Sequence, residues 1–473
     1  MSSFANDRAP RSPRSASVAA GLSFLWPGLG QWYAGRNRNA ALYAVPAVVL
    51  LGIVLLRIAA GIQTFAISML EPSVALTVLV LIIVGGIWRL LAMVDASSSV
   101  NRRTVFRGRP GQVLAVLGAV IFATHATLGY YAWSFYENGS QIFVGDGPDA
   151  TPDPAGSADP TDDFIATPFA TPETPDARVT ILLTGIDKTA ERTHSLTDTL
   201  LVLSLEPTTG EVAMVSIPRD IAQFPLYNGG TFEGKINSLY VYAKNHPEQF
   251  PDGPLPSLTQ ELSYLLGIPI HYYAAVDIDG FKRMIDEVGG VTVTLDRALS
   301  DPRYNWLNGE FGLYIPKGTS TLDGETALAF VRSRYGAGDN DFTRAARQQV
   351  LLLALRKKVT DPAMLPRIPA LLDVAGDTIR TNFPPERIDE MVALAQSIDD
   401  ATVQRFVLKP PTYSIHPPTN TTGGTYILRL HLDAVRLLSV TLFGEDSAYW
   451  TGQFDPSGSP VPLGGGPTPT PAP

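Results

Sequence analysis

The chain reads as an α/β layered domain with a mixed central sheet, preceded by an N-terminal transmembrane helical region. Three observations predict this. Long apolar stretches come first, a Pro, Thr and Asp-rich segment follows, and from Arg178 onward short β-branched runs alternate with segments of helical periodicity. A chain of 473 residues also exceeds what one core usually supports, so more than one unit is expected.

The apolar stretches are residues 40–60, 73–94 and 112–133, each close to the roughly 20 residues that cross a bilayer. They are too long and too many for one cleavable signal peptide. An earlier apolar run, 18–33, is broken by Pro27, Gly28 and Gly30 and reads as an interfacial or re-entrant piece. Arginine sets the orientation, because it avoids short translocated loops. Arg8, Arg11, Arg14, Arg36 and Arg38 precede the first span, and Arg102, Arg103, Arg107 and Arg109 lie between the second and third. The loop between the first and second, 62–72, has no Lys or Arg. The expectation is a multi-pass cell-membrane protein with a cytoplasmic N-terminus and everything after Trp133 extracytoplasmic.

The domain plan is then a membrane region over 1–137, a disordered linker over 138–177, an exported domain over 178–451 and a disordered Gly/Pro tail over 452–473. Much of the net charge of −9 belongs to the linker aspartates, so acidity says little about a binding site. No basic face or reading module is apparent, which argues against nucleic acid. The absence of cysteine excludes disulfides, thiolate metal sites and a Cys nucleophile.

Within the domain, residues 178–186 form a β-branched run that delivers Asp187 to its C-terminal end. Runs 199–205 and 212–217 flank Glu206-Pro207-Thr208-Thr209-Gly210, a hairpin with its turn signal. Helical periodicity covers 258–266, 280–288, 323–331, 341–359 and 385–398, with further strands at 272–276, 291–295 and 403–408.

Two carboxylates open the chemistry. Asp187 closes one strand and Asp198 opens the next, which brings both to one sheet edge. A pair of hard oxygen ligands suits Mg²⁺, which takes one or two carboxylates plus substrate phosphates; either aspartate alone would pass as a loop residue. Arginine recurs at element ends: Arg219 in SIPRD, Arg332 and Arg334 in FVRSR, Arg344 and Arg347 in DFTRAARQQ. Arg332 and Arg334 share a face only if the chain there is extended. Arg344, Arg347 and Gln348 share one helix face near an N-terminus, where anions are already favoured. Asp339 and Asp341 stand near Arg344 to pair with it or order it, and Lys235 and Asn237 in GKIN are weaker candidates that could equally cap a helix. The six histidines have no metal-ligand spacing, and no Walker loop, dinucleotide fingerprint or nucleophile elbow is present. Mg²⁺ with an arginine cluster fits the handling of a phosphoryl or pyrophosphoryl group.

Through ILLTGID, TDTLLVLSL, VSIPRD, GKINSLY, VDIDGFKRMIDEVGGVTV, LDGETALAFVRSR and DFTRAARQQ, in that order, the chain resembles the LytR-CpsA-Psr family of cell-wall glycopolymer ligases. The resemblance implies an α/β/α domain with a long apolar pocket for a polyprenyl chain and a Mg²⁺–pyrophosphate site at its mouth. It implies a phosphotransferase that moves a glycan phosphate from a polyprenyl pyrophosphate carrier to peptidoglycan or another envelope acceptor. By motif, Asp187 and Asp198 would hold the metal, Arg219, Arg332, Arg334 and Arg344 the pyrophosphate, with Asp341, Arg347, Gln348, Lys235 and Asn237 around them. A hydrolase using the same residues, and a non-enzymatic lipid-glycan regulator, remain as alternatives.

Overall fold

The protein is described by a computed structural model that covers residues 14–142 apart from 60–64, 66–67 and 101–104, and residues 177–462 apart from 188–195, 228, 307–309, 385–386, 401 and 455–459. The chain forms two compact units, Met1–Glu137 and Asn138–Pro473.

The first unit is helical, holding α1 (Ala16–Leu25), α2 (Leu29–Tyr33), α3 (Asn37–Ala59), α4 (Pro72–Val100) and α5 (Gly108–Ile142) as far as Glu137. The last three are long and apolar enough to cross a membrane. Their outward side chains, among them Leu56, Ile83 and Phe122, are exposed, as a lipid solvent would allow. The early apolar run is two short helices because Pro27 and Gly28 interrupt it, with Gly28 at φ 102°. Gln31 ties the second piece to α4, donating from Nε2 to the Ala92 carbonyl at 2.7 Å and to Asp95 Oδ2 at 3.2 Å. Helix α5 continues to Ile142, past the start expected for the linker, and buries Ile142. The rest of the expected linker, 143–176, lies outside the described residues.

The second unit is built on β1 (Val179–Asp187), β2 (Leu196–Leu205), β3 (Val212–Ser216), β4 (Ala222–Pro225), β5 (Thr231–Lys235), α6 (Leu239–Asn245), α7 (Pro254–Leu266), β6 (Tyr272–Asp277), α8 (Ile278–Glu287), β7 (Val291–Leu295), β8 (Leu299–Asn305), β9 (Phe311–Ile315), β10 (Gly318–Leu322), α9 (Gly324–Arg332), α10 (Asp341–Val359), α11 (Ile368–Thr378), β11 (Ile379–Thr381), α12 (Ile388–Ser397), β12 (Gln404–Val407) and α13 (Leu432–Phe443). Six strands form one mixed sheet in the order β11-β6-β1-β2-β3-β12. β1 pairs parallel with β6 and antiparallel with β2, while β12 adds in parallel beside β3.

Alternation along the strands sends side chains to two cores. Leu182, Leu200, Val202, Val215 and Ala275 meet Leu239 of α6, the Leu258 and Leu262 stripe of α7 and Val435 and Leu438 of α13. Ile181, Leu201, Leu205, Met214 and Tyr272 face the other way, against Leu353 of α10 and Met391 and Leu394 of α12. This makes the α/β/α layering. A further cluster joins α8, α9 and β7–β10 through Ile285, Val293, Leu313 and Phe330.

The sequence reading omitted α6, α11, α13 and the β4–β5 and β8–β9 hairpins. Their patterns are short or interrupted, and tertiary packing settles them. Part of the tail expected to be disordered from Gly452 is ordered, since Trp450–Phe454 and Pro460–Pro462 pair as antiparallel strands. Residues 463–473 lie outside the described residues.

One buried carboxylate does no pairing with a cation. Glu261 on α7 is 4% exposed and accepts from Tyr227 N at 2.8 Å. Burial raises its pKa from 4.5 to about 7, against the lowering effect of that hydrogen bond. The folded state therefore binds a proton that the unfolded state releases above pH 4.5, and stability from this group falls as pH rises from there through 7. Glu261→Gln keeps an acceptor for Tyr227 N and removes the titration. Thermal melts should show the variant gaining stability over wild type at pH 8, by up to about 3 kcal/mol, and little or nothing at pH 5.

Candidate functional site

Between the α10 face of the sheet and helices α8, α9 and α10 lies a cavity of ≈ 310 Å³. Leu183, Leu201, Val276, Phe281, Leu352 and Leu355 give it an apolar interior. Its polar end, termed the mouth, is lined by Asp198, Arg219, Arg332, Arg334, Arg344 and Gln348. The described charged residues that line it are these four arginines and two aspartates, Asp198 and Asp277. Asp277 is spent on capping α8, accepting from Gly280 N at 2.7 Å.

Asp198 reaches the cavity through a fault in strand pairing. Gly185 pairs with Thr199 and Ile186 with Thr197, so Asp198 is the extra residue of a bulge. In a regular strand Asp198 would share the face of Leu200 and Val202, inside the α6–α7 core. The bulge turns it to the cavity beside Thr199, the kind of re-aiming that bulges perform. Its Oδ1 then accepts from Arg219 Nη1 at 2.6 Å. Asp187 closes β1 opposite Leu196, two residues before Asp198. Its side chain lies outside the described residues.

Helix α10 carries the site from polar to apolar. Asn340 caps it, accepting from Phe342 N and Thr343 N at 2.9 and 3.0 Å, while Thr343 Oγ1 accepts from Asn340 N. Below this cap Arg344, Gln348, Leu351, Leu352 and Leu355 run down one stripe into the cavity. Gln348 Nε2 donates to Thr199 Oγ1 at 2.9 Å, which ties the helix to β2.

Arg347 is turned aside from this stripe and does not line the cavity. Its Nε donates to the Phe330 carbonyl at 2.8 Å, Nη2 donates to the Ser333 carbonyl, and Nη1 sits 3.0 Å from Asp339 Oδ1. It holds the end of α9 in place. That helix stops at Arg332, Ser333 is extended, and Arg332 and Arg334 both reach the cavity.

The stop itself depends on Asp301, which the sequence reading did not single out. Its fully buried carboxylate accepts four hydrogen bonds: Oδ2 from Ser333 Oγ at 2.6 Å and from Arg334 N and Tyr335 N at 3.1 Å each, and Oδ1 from Arg303 N at 3.1 Å. Burial would raise its pKa, but these bonds outweigh that and lower it. The Asp301-Pro302 pair with a bond to residue 303 is an Asx-turn signature, the only local hint available.

The remaining candidates stand behind the mouth. Asp341 lies 3.1 Å from Arg344 Nη1 and 3.6 Å from Arg334 Nη1. Lys235 pairs with Asp220 at 2.5 Å, and Asp220 also stands 3.8 Å from Arg219 Nε. Asn237 is buried, with its carbonyl accepting from Thr197 Oγ1 and its N–H donating to the Arg219 carbonyl at 3.3 Å each. Burial lowers the pKa of Arg344 to about 10, with Asp341 opposing the shift and the charges of Arg219 and Arg334 adding to it. Arg219 moves the other way: burial lowers its pKa, but Asp198, with Asp341 and Asp220 further off, more than offsets that. Both remain cations at neutral pH. Among the described residues no three His, Asp or Glu side chains group as a metal site.

The model of the LytR_cpsA_psr family matches residues 154–429, more than half of the chain. The chain belongs to the LytR_cpsA_psr family. It is 30% identical over 203 residues to the polyisoprenyl-teichoic acid–peptidoglycan teichoic acid transferase TagU of Halalkalibacterium halodurans, covering 43% of this chain and 60% of that one. It is 31% identical over 223 residues to the regulatory protein MsrR of Staphylococcus aureus, covering 46% and 61%. The chain thus spans about 60% of the length of these curated relatives. The crystal structure of B. subtilis TagV shares 26% identity, over 56% of this chain and 96% of that one, with a TM-score of 0.45. Every mouth residue of this LytR_cpsA_psr domain named above falls within the matched span.

Asp301→Ala would strip the acceptor from three backbone N–H groups at the end of α9 and the turn after Asp301. The variant should lose at least about 2 kcal/mol of stability in denaturant melts. It should also bind inorganic pyrophosphate more weakly than wild type by calorimetry, because Arg332 and Arg334 lose their fixed spacing.

Proposed function

We propose that the second unit transfers a glycan phosphate from a polyprenyl pyrophosphate carrier to a hydroxyl of peptidoglycan or another envelope acceptor. The observation that carries this reading is an apolar cavity whose mouth is lined by four arginines. Such a site suits an amphiphile with an apolar tail and an anionic head, and guanidinium forks match phosphate oxygens in pairs. The TagU relative's name, a polyisoprenyl-linked teichoic acid transferase to peptidoglycan, points to the same substrate class.

The acceptor oxygen bonds to the sugar-linked phosphorus, and the P–O–P bond to the carrier phosphate breaks. The bridging oxygen leaves with polyprenyl phosphate and takes the bonding electrons. Arg219, Arg332, Arg334 and Arg344 bind the pyrophosphate and stabilise the charge that builds on the leaving phosphate. The acceptor proton passes to a base, for which Asp187 is our candidate. Asp198 and Asp187 would hold Mg²⁺, a cation that accepts one or two carboxylates and completes its shell with water and substrate phosphate. Asp198 fits that role, as it faces the cavity and is 29% exposed in its side chain. When bound, Mg²⁺ supplies charge neutralisation at the pyrophosphate. The arginine distribution in the first unit supports a cytoplasmic N-terminus and an extracytoplasmic site.

The name of the MsrR relative supports a second reading, a regulator that binds the lipid-linked glycan without turning it over. The assay follows release of polyprenyl phosphate with Mg²⁺, with EDTA, and with and without peptidoglycan. Acceptor-dependent, EDTA-sensitive release is expected. Asp198→Asn should lower the rate by about a hundredfold or more with the fold intact, and Arg334→Lys should damage it by losing two-pronged contact. Acceptor-independent release would mean a hydrolase, and bound lipid without turnover would mean the regulator. Wild-type rates in both variants would put the chemistry elsewhere.

A further inference from the structure

The three most exposed large hydrophobic side chains described in the second unit are all aromatic, and all belong to one corner of it. Phe311 is 70% exposed and Tyr314 69%, both on β9, and Tyr335 is 55% exposed. Strand β8 brings them together. Asn305 pairs with Phe311 and Ser300 with Tyr314, and the Asp301 carboxylate between them binds the N–H groups of Arg334 and Tyr335. Tyr335 lies under two guanidinium groups, Arg303 and Arg334, each with Cζ 5.6 Å from the ring centre. Arg334 lines the cavity mouth, so this corner adjoins the entrance.

The hairpin does not need these rings outside for its own stability. Leu299, Leu313 and Ile315 already face the core with Trp306 and Tyr304 packed against them. Phe311 has no polar atom that gains from water, and a single exposed aromatic would need no account, but three on segments that β8 brings together do. Beside them Arg303 and Lys317 are exposed cations with long apolar stems. Phe and Tyr flanked by Arg and Lys is the composition that settles at a membrane surface, with rings at headgroup level and cations at the phosphates. The chain's own three apolar helices supply the reason for a bilayer to be at hand.

We propose that the β8–β9 hairpin, through Phe311, Tyr314, Arg303 and Lys317, docks on the headgroup layer of the bilayer beside the cavity mouth. Docked there, it places the entrance against the lipid phase, and a carrier tail enters the cavity without crossing water. That consequence rests on the carrier reading given above; the docking itself does not.

The test uses the full chain in phospholipid vesicles. The protein has no cysteine, so a single probe site is available by substitution. Glu310→Cys puts an environment-sensitive fluorophore next to Phe311 and leaves the aromatic patch whole. Thr209→Cys puts it in the β2–β3 turn, at the opposite end of β2 from Asp198. Spin-labelled phospholipids carrying the quencher near the headgroup should quench the probe at 310 and leave the probe at 209 unaffected. Adding Phe311→Ser and Tyr314→Ser to the 310 probe should abolish the quenching. Equal quenching at both sites, none at 310, or quenching that survives the double substitution would overturn the proposal. A response at 310 to soluble peptidoglycan fragments in place of lipid would also overturn it and mark the hairpin as an acceptor surface. In turnover assays the double variant should lose several-fold on membrane-embedded carrier and nothing on a short-chain, water-soluble carrier. No turnover of either carrier by wild type would sink the transferase reading and leave the quenching result to decide docking.

Discussion

Arginines brought together at the mouth of an apolar cavity repel one another, and much of the second unit is arranged to hold them there. Each guanidinium loses hydration as it is buried, and the lowered pKa of Arg344 records that cost together with the push from Arg219 and Arg334. Carboxylates are placed to offset it without filling the mouth. Asp198 takes Arg219, Asp341 stands between Arg334 and Arg344, and Asp220 lies behind Arg219 with Lys235 as its own partner. An anion entering from outside would meet cations already held in position, which saves the ordering of long side chains at the moment of binding.

Backbone geometry does as much of this work as charge. The β2 bulge puts Asp198 on the cavity side of the sheet, and the Asp301 carboxylate ends α9 so that Arg332 and Arg334 diverge from a helix into an extended turn. The bulge carries no motif of its own, and Asp301 carries only the local Asx-turn hint. A bulge exists only when two strands are in register, and Asp301 is separated from Ser333 by strands β9 and β10 and the whole of α9.

That difference explains what could be read from the sequence. Asp198, Arg219, Arg332, Arg334 and Arg344 stand out because they lie at or near the ends of strongly periodic elements, with Gln348 one turn further along α10, and ends of elements converge where a sheet meets its helices. Asp339 and Asp341 were legible as neighbours of Arg344 for the same reason. The layering followed from alternating strand and helix runs. Helices α6 and α13 were not legible because their apolar patterns are short or interrupted, and packing on the sheet beside α7 settles them. The β8–β9 hairpin escaped for the opposite reason, since its buried and exposed apolar residues break the simple alternation of a half-buried strand.

The pair Arg344 and Arg347 shows how far spacing alone can carry an argument. Three residues apart on α10, they occupy neighbouring positions on its surface, and helical geometry gives no reason to treat them differently. Their surroundings do. Among the described residues the Arg344 guanidinium pairs with Asp341 alone, and Arg344 lines the cavity that an anion can enter. The guanidinium of Arg347 is held by two main-chain carbonyls and Asp339, and Asp339 is shared with Arg297. A guanidinium with its donors committed to carbonyls has little left for a ligand. Arg347 therefore acts on the mouth through the backbone of residues 330 and 333, as a positioning residue for Arg332 and Arg334.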